Sequence, residues 1–202
     1  MSRALPLLSE KLPKGGKGTR VIFSENAADN VLGKHPWVKN DRKAFEEMGC
    51  DVLEFDLRKV SKADFTEMLE TANLIHFCGG SVMYLMSLLK KKGFANLISK
   101  SVLAGDLMFS GTSAGSMISA ASLKLFTFDK DKDERKFVRQ MKDAEGLGLT
   151  DFLMLPHANQ KDFVGFIKSL AEHISDEPMS LIFINDDQAV WVDDGKLEIL
   201  SV

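Results

Sequence analysis

Short, almost wholly apolar segments recur along this chain between stretches of helical periodicity, and that alternation limits the folds open to it. The apolar segments are Arg20–Phe23, Asp51–Phe55, Asn73–Cys78, Asp106–Phe109, Phe152–Leu155 and Leu181–Ile184. Between them the spacing predicts helices over Asp41–Met48, from Ser61 to about Thr71, over Val82–Lys92, over Ser116–Ser122 and over Asp162–Ile174. Punctuation supports these bounds. Gly49 and Gly93 stand where C-terminal caps belong, and Ser61 with Asp64 forms a capping box. Ser81 is placed to cap the third helix. Strand–helix alternation of this kind builds a parallel sheet covered by helices, and strands buried on both faces read as continuous apolar runs. The fold class expected is therefore α/β with a mostly parallel central sheet. Asp193-Asp-Gly195, between Ala189–Val192 and Leu197–Leu200, predicts an antiparallel hairpin at the C-terminal end. Before the first strand lie a helix-like stretch, Ala4–Lys11, and a glycine- and lysine-rich loop, Pro13–Thr19.

With 202 residues, 45% of them hydrophobic, the chain is long enough for one well-buried core, and a single domain over residues 1–202 is the expectation. A net charge of -3 gives no basic footprint for nucleic acid. No apolar run reaches the length of a membrane span, and the N-terminus lacks a secretory h-region. Cys50 and Cys78 form neither a C-x-x-C pair nor a disulfide framework. These features lead to an expected cytoplasmic protein with no metal, no cofactor and a small molecule or peptide as substrate.

In an open parallel sheet, sites form beyond the carboxyl ends of the strands. Three segments converge there: Cys78-Gly-Gly-Ser81, Ser110-Gly-Thr-Ser-Ala-Gly115 and Pro156-His-Ala-Asn159. Gly111–Gly115 fits G-x-S-x-G between a strand and a helix, the pattern of a nucleophile elbow. That turn lifts the Ser113 hydroxyl out of the sheet and aims the Ala114 amide at a developing oxyanion. Gly79-Gly80 lets backbone approach a ligand and can offer a second amide. A serine needs an adjacent base at neutral pH. Of the four histidines, His157 lies at a strand end on the expected site edge, whereas His76 falls inside an apolar strand and reads as a core residue. The orienting acid stays open among Asp133, Glu134, Asp186 and Asp187.

At these residues the chain resembles the peptidase E (S51) family of serine peptidases, which includes cyanophycinases. The likeness rests on the Gly-Gly turn entering a Tyr-Leu-Met helix (Cys78–Met86), the Phe-Ser-Gly-Thr-Ser-Ala-Gly elbow (Phe109–Gly115) and the Gly-Leu-Gly-Leu…Leu-Pro-His segment (Gly146–His157). The resemblance implies a three-layer α/β/α sandwich similar to class I glutamine amidotransferases. It implies Ser113 as nucleophile, His157 as base, and Gly80 and Ala114 as oxyanion-hole amides. The family's acidic position falls near Glu134, with Asp133 and Asp187 as alternatives. Gly79, Ser81 and Asn159 are the expected substrate-binding positions, and short peptides the expected substrate. A serine esterase using the same pair, or a non-catalytic binding protein on the same fold, are the alternatives.

Four departures carry information. Family members usually begin with a strand before their first helix, whereas this chain opens on the helix-like Ala4–Lys11; an edge or central strand is expected to be missing, and the exposed sheet edge would suit a homodimer. The turn reads Cys78-Gly-Gly-Ser-Val82 where the family commonly has Gly-Gly-Gly-Asn-Thr. Residues Asn159–Leu170 contain Lys161 and Lys168 but no arginine, which argues against strict N-terminal aspartate specificity. The acidic position is not fixed to one residue.

Overall fold

The computed structural model describes residues 4–128, 132–139, 141, 143–174 and 179–202, with backbone alone for Lys132 and Asp133. A 3-10 turn over Leu5–Glu10 and another over Pro13–Gly16 precede β1 (Arg20–Ser24), and a third, Asn26–Asn30, follows it. Then come α1 (Pro36–Glu47), β2 (Asp51–Glu54), α2 (Lys62–Thr71), β3 (Leu74–Phe77), α3 (Val82–Lys92), α4 (Ala95–Leu103) and β4 (Met108–Gly111). The remainder is α5 (Ala114–Met117), a 3-10 turn at Lys124–Phe128, α6 (Lys132–Val138), β5 (Phe152–Leu155), α7 (Lys161–Ala171), β6 (Ser180–Phe183), β7 (Gln188–Asp193) and β8 (Lys196–Ser201).

Four parallel strands form the central sheet in the order β2-β1-β3-β4, with helices flanking it in an α/β/α arrangement. β1 and β3 occupy its middle. Val21, Ile22, Phe23, Leu74, Ile75 and Phe77 are all at most 1% exposed, which accounts for their unbroken apolar sequence. The later strands stand apart from this sheet. β5 and β6 pair with each other, in parallel, and β7–β8 forms a separate antiparallel hairpin.

Most expected elements are present, with informative shifts. α1 begins at Pro36, five residues earlier than expected, because proline fits the first helical turn, where its missing N–H is not needed. Its buried face is Val38, Asp41 and Phe45, and full burial of a phenylalanine such as Phe45 stabilises by roughly 1.5–3 kcal/mol. α4 was not anticipated. Gly93 ends α3 in the left-handed region, and Phe94, fully buried, opens the next helix at once. The expected Ser116–Ser122 helix is shorter and earlier. The Ser116 and Ser119 hydroxyls donate to the carbonyls of Ser113 and Ser116, and the chain then turns to bond the segment after residue 143. There Leu147 N–H donates to the Ile118 carbonyl and Gly146 N–H to that of Ala121.

Among the described residues, no helix is long and apolar enough to cross a membrane.

Candidate active site

The carboxyl ends of β3, β4, β5 and β6 meet at one place. Ser113 follows β4 as the N-cap of α5, with φ 49° and ψ -117°. This is a strained backbone for a residue with a side chain. The turn is held by close approach. A Cβ on Gly115 would lie 2.0 Å from the Phe77 carbonyl oxygen, and one on Gly111 would lie 2.3 Å from the Gly115 backbone. The two glycines of the motif therefore let the elbow fold against β3 and against itself.

His157 follows β5, also at positive φ (65°). Its Nε2 stands 2.9 Å from Ser113 Oγ, and its Nδ1 stands 2.6 Å from Asp186 Oδ1, just beyond β6. An ionised carboxylate only accepts, so Nδ1 carries the ring proton and Nε2 is left to accept from Ser113. The His157 and Asp186 side chains are 13% and 10% exposed. Gln160 Nε2 donates to Asp186 Oδ2 (2.9 Å), and the Asp186 amide donates to Asn159 Oδ1 (3.4 Å). Burial pushes the Asp186 carboxyl up, but hydrogen bonding and positive charge, those of His157 foremost, outweigh it and hold the group below its ordinary value. The ring of Phe163, on α7, lies 4.4 Å from the His157 imidazole.

The Gly79–Gly80 turn closes the site from β3. A Cβ on Gly79 would lie 3.1 Å from Ser113 Cβ, and one on Gly80 (φ 154°) would lie 2.0 Å from the Ala27 carbonyl oxygen. Among the described residues, the Gly80 and Ala114 amides donate to no protein acceptor.

The expected acid is corrected by this geometry. Glu134 Oε2 accepts from the Met83 amide at the start of α3 (3.0 Å), where a carboxylate is favoured by the helix dipole. Glu134 is therefore not the residue paired with His157. The Asp133 side chain lies outside the described residues. Asp187 Oδ1 is buried without a hydrogen-bond partner among them, and Asp186 holds the place beside His157. Two expected substrate-binding side chains have structural partners instead. Ser81 is buried and caps α3 by accepting from the Tyr84 amide (3.1 Å), and Asn159 supports Asp186. The sequence left Gln160 unremarked, and only its position one turn past His157 could have suggested it.

His76 is fully buried. Its Nδ1 lies 3.0 Å from Ser110 Oγ, while Nε2 has no hydrogen bond among the described residues and lies 3.6 Å from Asp41 Oδ2. Burial pushes the Cys78 thiol well above its ordinary value. No group of three or more His, Cys, Asp or Glu gathers to hold a metal among the described residues.

A parallel α/β/α sandwich with a serine elbow, a strand-end histidine and a partly buried carboxylate is the form of a serine hydrolase. The sequence matches the profile of peptidase family S51 over residues 3–200, and the chain belongs to that family as a serine-type peptidase. It is similar to an uncharacterized peptidase of Pasteurella multocida, 31% identical over 156 residues that span 77% of this chain and 73% of the relative. An uncharacterized peptidase of Listeria innocua is 29% identical over 191 residues, 91% of this chain and 88% of that one. Among solved structures, a candidate peptidase E protein from Listeria monocytogenes EGD-e superposes with a TM-score of 0.84 at 24% identity, covering 98% of this chain and 93% of its own. A peptidase from an acI-B1 Actinobacterium gives 0.68 at 21%, covering 98% and 80%. Both share the fold.

Proposed function

We propose that the protein hydrolyses short peptides through an acyl-enzyme, with Ser113 as nucleophile, His157 as general base and Asp186 as the orienting acid. The observation that carries this reading is the unbroken chain from Ser113 Oγ to His157 Nε2 (2.9 Å) and from His157 Nδ1 to Asp186 Oδ1 (2.6 Å). Ser113 attacks the scissile carbonyl carbon while its proton passes to Nε2, and Asp186 stabilises the imidazolium. The Gly80 and Ala114 amides receive the oxyanion. Collapse of the tetrahedral intermediate breaks the C–N bond, with His157 returning the proton to the departing amine. Water, activated by the same base, then releases the acyl group. With no arginine between Asn159 and Leu170, substrates with neutral side chains fit this site better than N-terminal aspartyl peptides.

The test is mass spectrometry after treatment with a fluorophosphonate, followed by a panel of short peptides and esters. A single adduct that Ser113→Ala abolishes, with peptide turnover lost in the same folded variant, is expected. Absence of the adduct, or turnover that survives Ser113→Ala, would refute the reading. Turnover of esters alone would reassign the leaving group.

A further inference from the structure

We propose that helix α1 is the positioning element of the oxyanion hole, with Trp37 setting the direction of the Gly80 amide and Asp41 anchoring the elbow that carries the Ala114 amide. The inference rests on the serine-peptidase reading above for the use of these two amides, and on separate contacts for how they are aimed.

Trp37 Nε1 donates to the Gly79 carbonyl oxygen at 3.0 Å. That carbonyl belongs to the same peptide unit as the Gly80 N–H. The unit is trans, so its C=O and N–H point in opposite directions. Holding the oxygen on the indole therefore turns the Gly80 N–H away from α1. The constraint matters because a peptide between two glycines is the least restricted in the chain. The Cys78 thiol, a weak donor, also reaches that oxygen at 3.5 Å, and with it alone rotation of that unit would misdirect the amide.

The second contact lies one turn along the same helix. Asp41 is 5% exposed, and its Oδ2 accepts from the Thr112 hydroxyl. Thr112 immediately precedes Ser113, whose strained backbone must be over-determined by its surroundings to persist. On the far side of Ser113, its carbonyl accepts from Ser116 N–H (2.9 Å), Met117 N–H (3.1 Å) and Ser116 Oγ (2.7 Å). The trans relation then turns the Ala114 N–H away from α5. Trp37 and Asp41 are four residues apart, so they lie on one face of α1. A single rigid helix, rooted by the fully buried Phe45, thus holds both turns in register.

Neither residue touches the reacting atoms, so both are positioning residues. The decisive variant is Trp37→Phe, which keeps the aromatic ring and removes the donor. Removing a whole oxyanion donor lowers kcat by about 10²–10³, and misdirecting one is expected to lower it about tenfold with KM unchanged. The inhibition constant of a peptide aldehyde, whose adduct is tetrahedral, should rise by the same factor, because it samples the oxyanion directly. Thr112→Val should behave likewise, and Thr112→Ser, which keeps the hydroxyl, should restore kcat. The Gly80 amide resonance in a ¹⁵N–¹H spectrum should shift in Trp37→Phe, and this readout does not depend on turnover. A Trp37→Phe protein with wild-type kcat, aldehyde affinity and Gly80 resonance would overturn the proposal, as would equal defects in the valine and serine variants of Thr112. A wild-type protein without turnover or adduct would instead refute the serine-peptidase reading, and the Gly80 resonance would still decide whether Trp37 aims that amide.

Discussion

Replacing Asp186 by asparagine is the sharpest test of the catalytic chain. The carboxylate accepts from two sides, His157 Nδ1 at 2.6 Å and Gln160 Nε2 at 2.9 Å. An amide of the same shape has one acceptor and one donor, so one contact must reverse. If the Gln160 contact reverses, the tautomer survives and only the charge is lost. A unit charge about 4 Å from the imidazolium is worth about 4 kcal/mol at an effective dielectric of about 20, or about a thousandfold in rate. If the His157 contact reverses, Nε2 holds the proton and cannot accept from Ser113, and the loss approaches 10⁴-fold, about 5–6 kcal/mol. Steady-state hydrolysis of a short peptide should therefore show kcat lowered by about 10³–10⁴, with KM little changed. Glu134→Gln, on α6, should leave kcat unchanged. A loss below tenfold in Asp186→Asn, or a matching loss in Glu134→Gln, would refute the assignment of the acid.

Thiol reagents should leave peptidase activity intact, because burial holds the Cys78 thiol protonated although it adjoins the Gly79–Gly80 turn; mass spectrometry of iodoacetamide-treated native protein checks this, and inactivation through Cys78 would contradict it. The Arg58 guanidinium forked on Asp56 holds that carboxyl well below the usual carboxylate range. A depressed folded pKa contributes stability that is complete above about pH 4 and fades as pH falls below it, so urea midpoints of wild type and Asp56→Asn should differ at pH 7 and converge on acidification. Ser113→Gly should raise the melting temperature by a few degrees while abolishing turnover. Relief of about 1–3 kcal/mol of backbone strain exceeds the roughly 0.4–1 kcal/mol that glycine returns to the unfolded chain. Calorimetry of the glycine and alanine variants checks this, and equal melting temperatures would show that the elbow stores no strain.

The fold was legible wherever one local rule decided an element. The apolar runs of β1 and β3, the Ser61 cap and the Gly93 stop are each read within a few residues, and each is present, although the Asp64 carboxylate accepts from the Ser61 hydroxyl where a capping box would use the Ser61 amide. Ser113 and His157 were legible for a similar reason, since glycines around a serine and a histidine just past an apolar strand are local signals. The acid was not. Asp186 and Asp187 are adjacent and chemically alike, and only the packing of β6 beside β5 selects between them. Glu134 misled because its carboxylate is taken by the Met83 amide at the start of α3. The contacts of α1 left no local trace. Trp37 reaches a carbonyl 42 residues away and Asp41 a hydroxyl 71 residues away, and neither periodicity nor composition encodes such distances.

The division of the strands bears on how the site is built. Ser113 ends a strand of the four-stranded sheet, whereas His157 and Asp186 end the two strands of the smaller one. Within that pair the ladder continues to the site itself. Leu155 pairs with Phe183, Ile184 N–H donates to the Leu155 carbonyl and Ala158 N–H donates to that of Ile184. Hydrogen-bonded backbone thus fixes the His157–Asp186 relation from both sides. The Ser113–His157 relation has no such ladder. It is carried across the seam by α5 and the chain after it, where Ala120 bridges Thr150 and Gly146 packs so closely that a Cβ would lie 2.1 Å from the Ala120 oxygen. The Gly-Leu-Gly-Leu segment therefore acts at a distance from the chemistry. It sets how the two sheets abut, and through them whether the Ser113 hydroxyl comes within reach of an imidazole already oriented by Asp186.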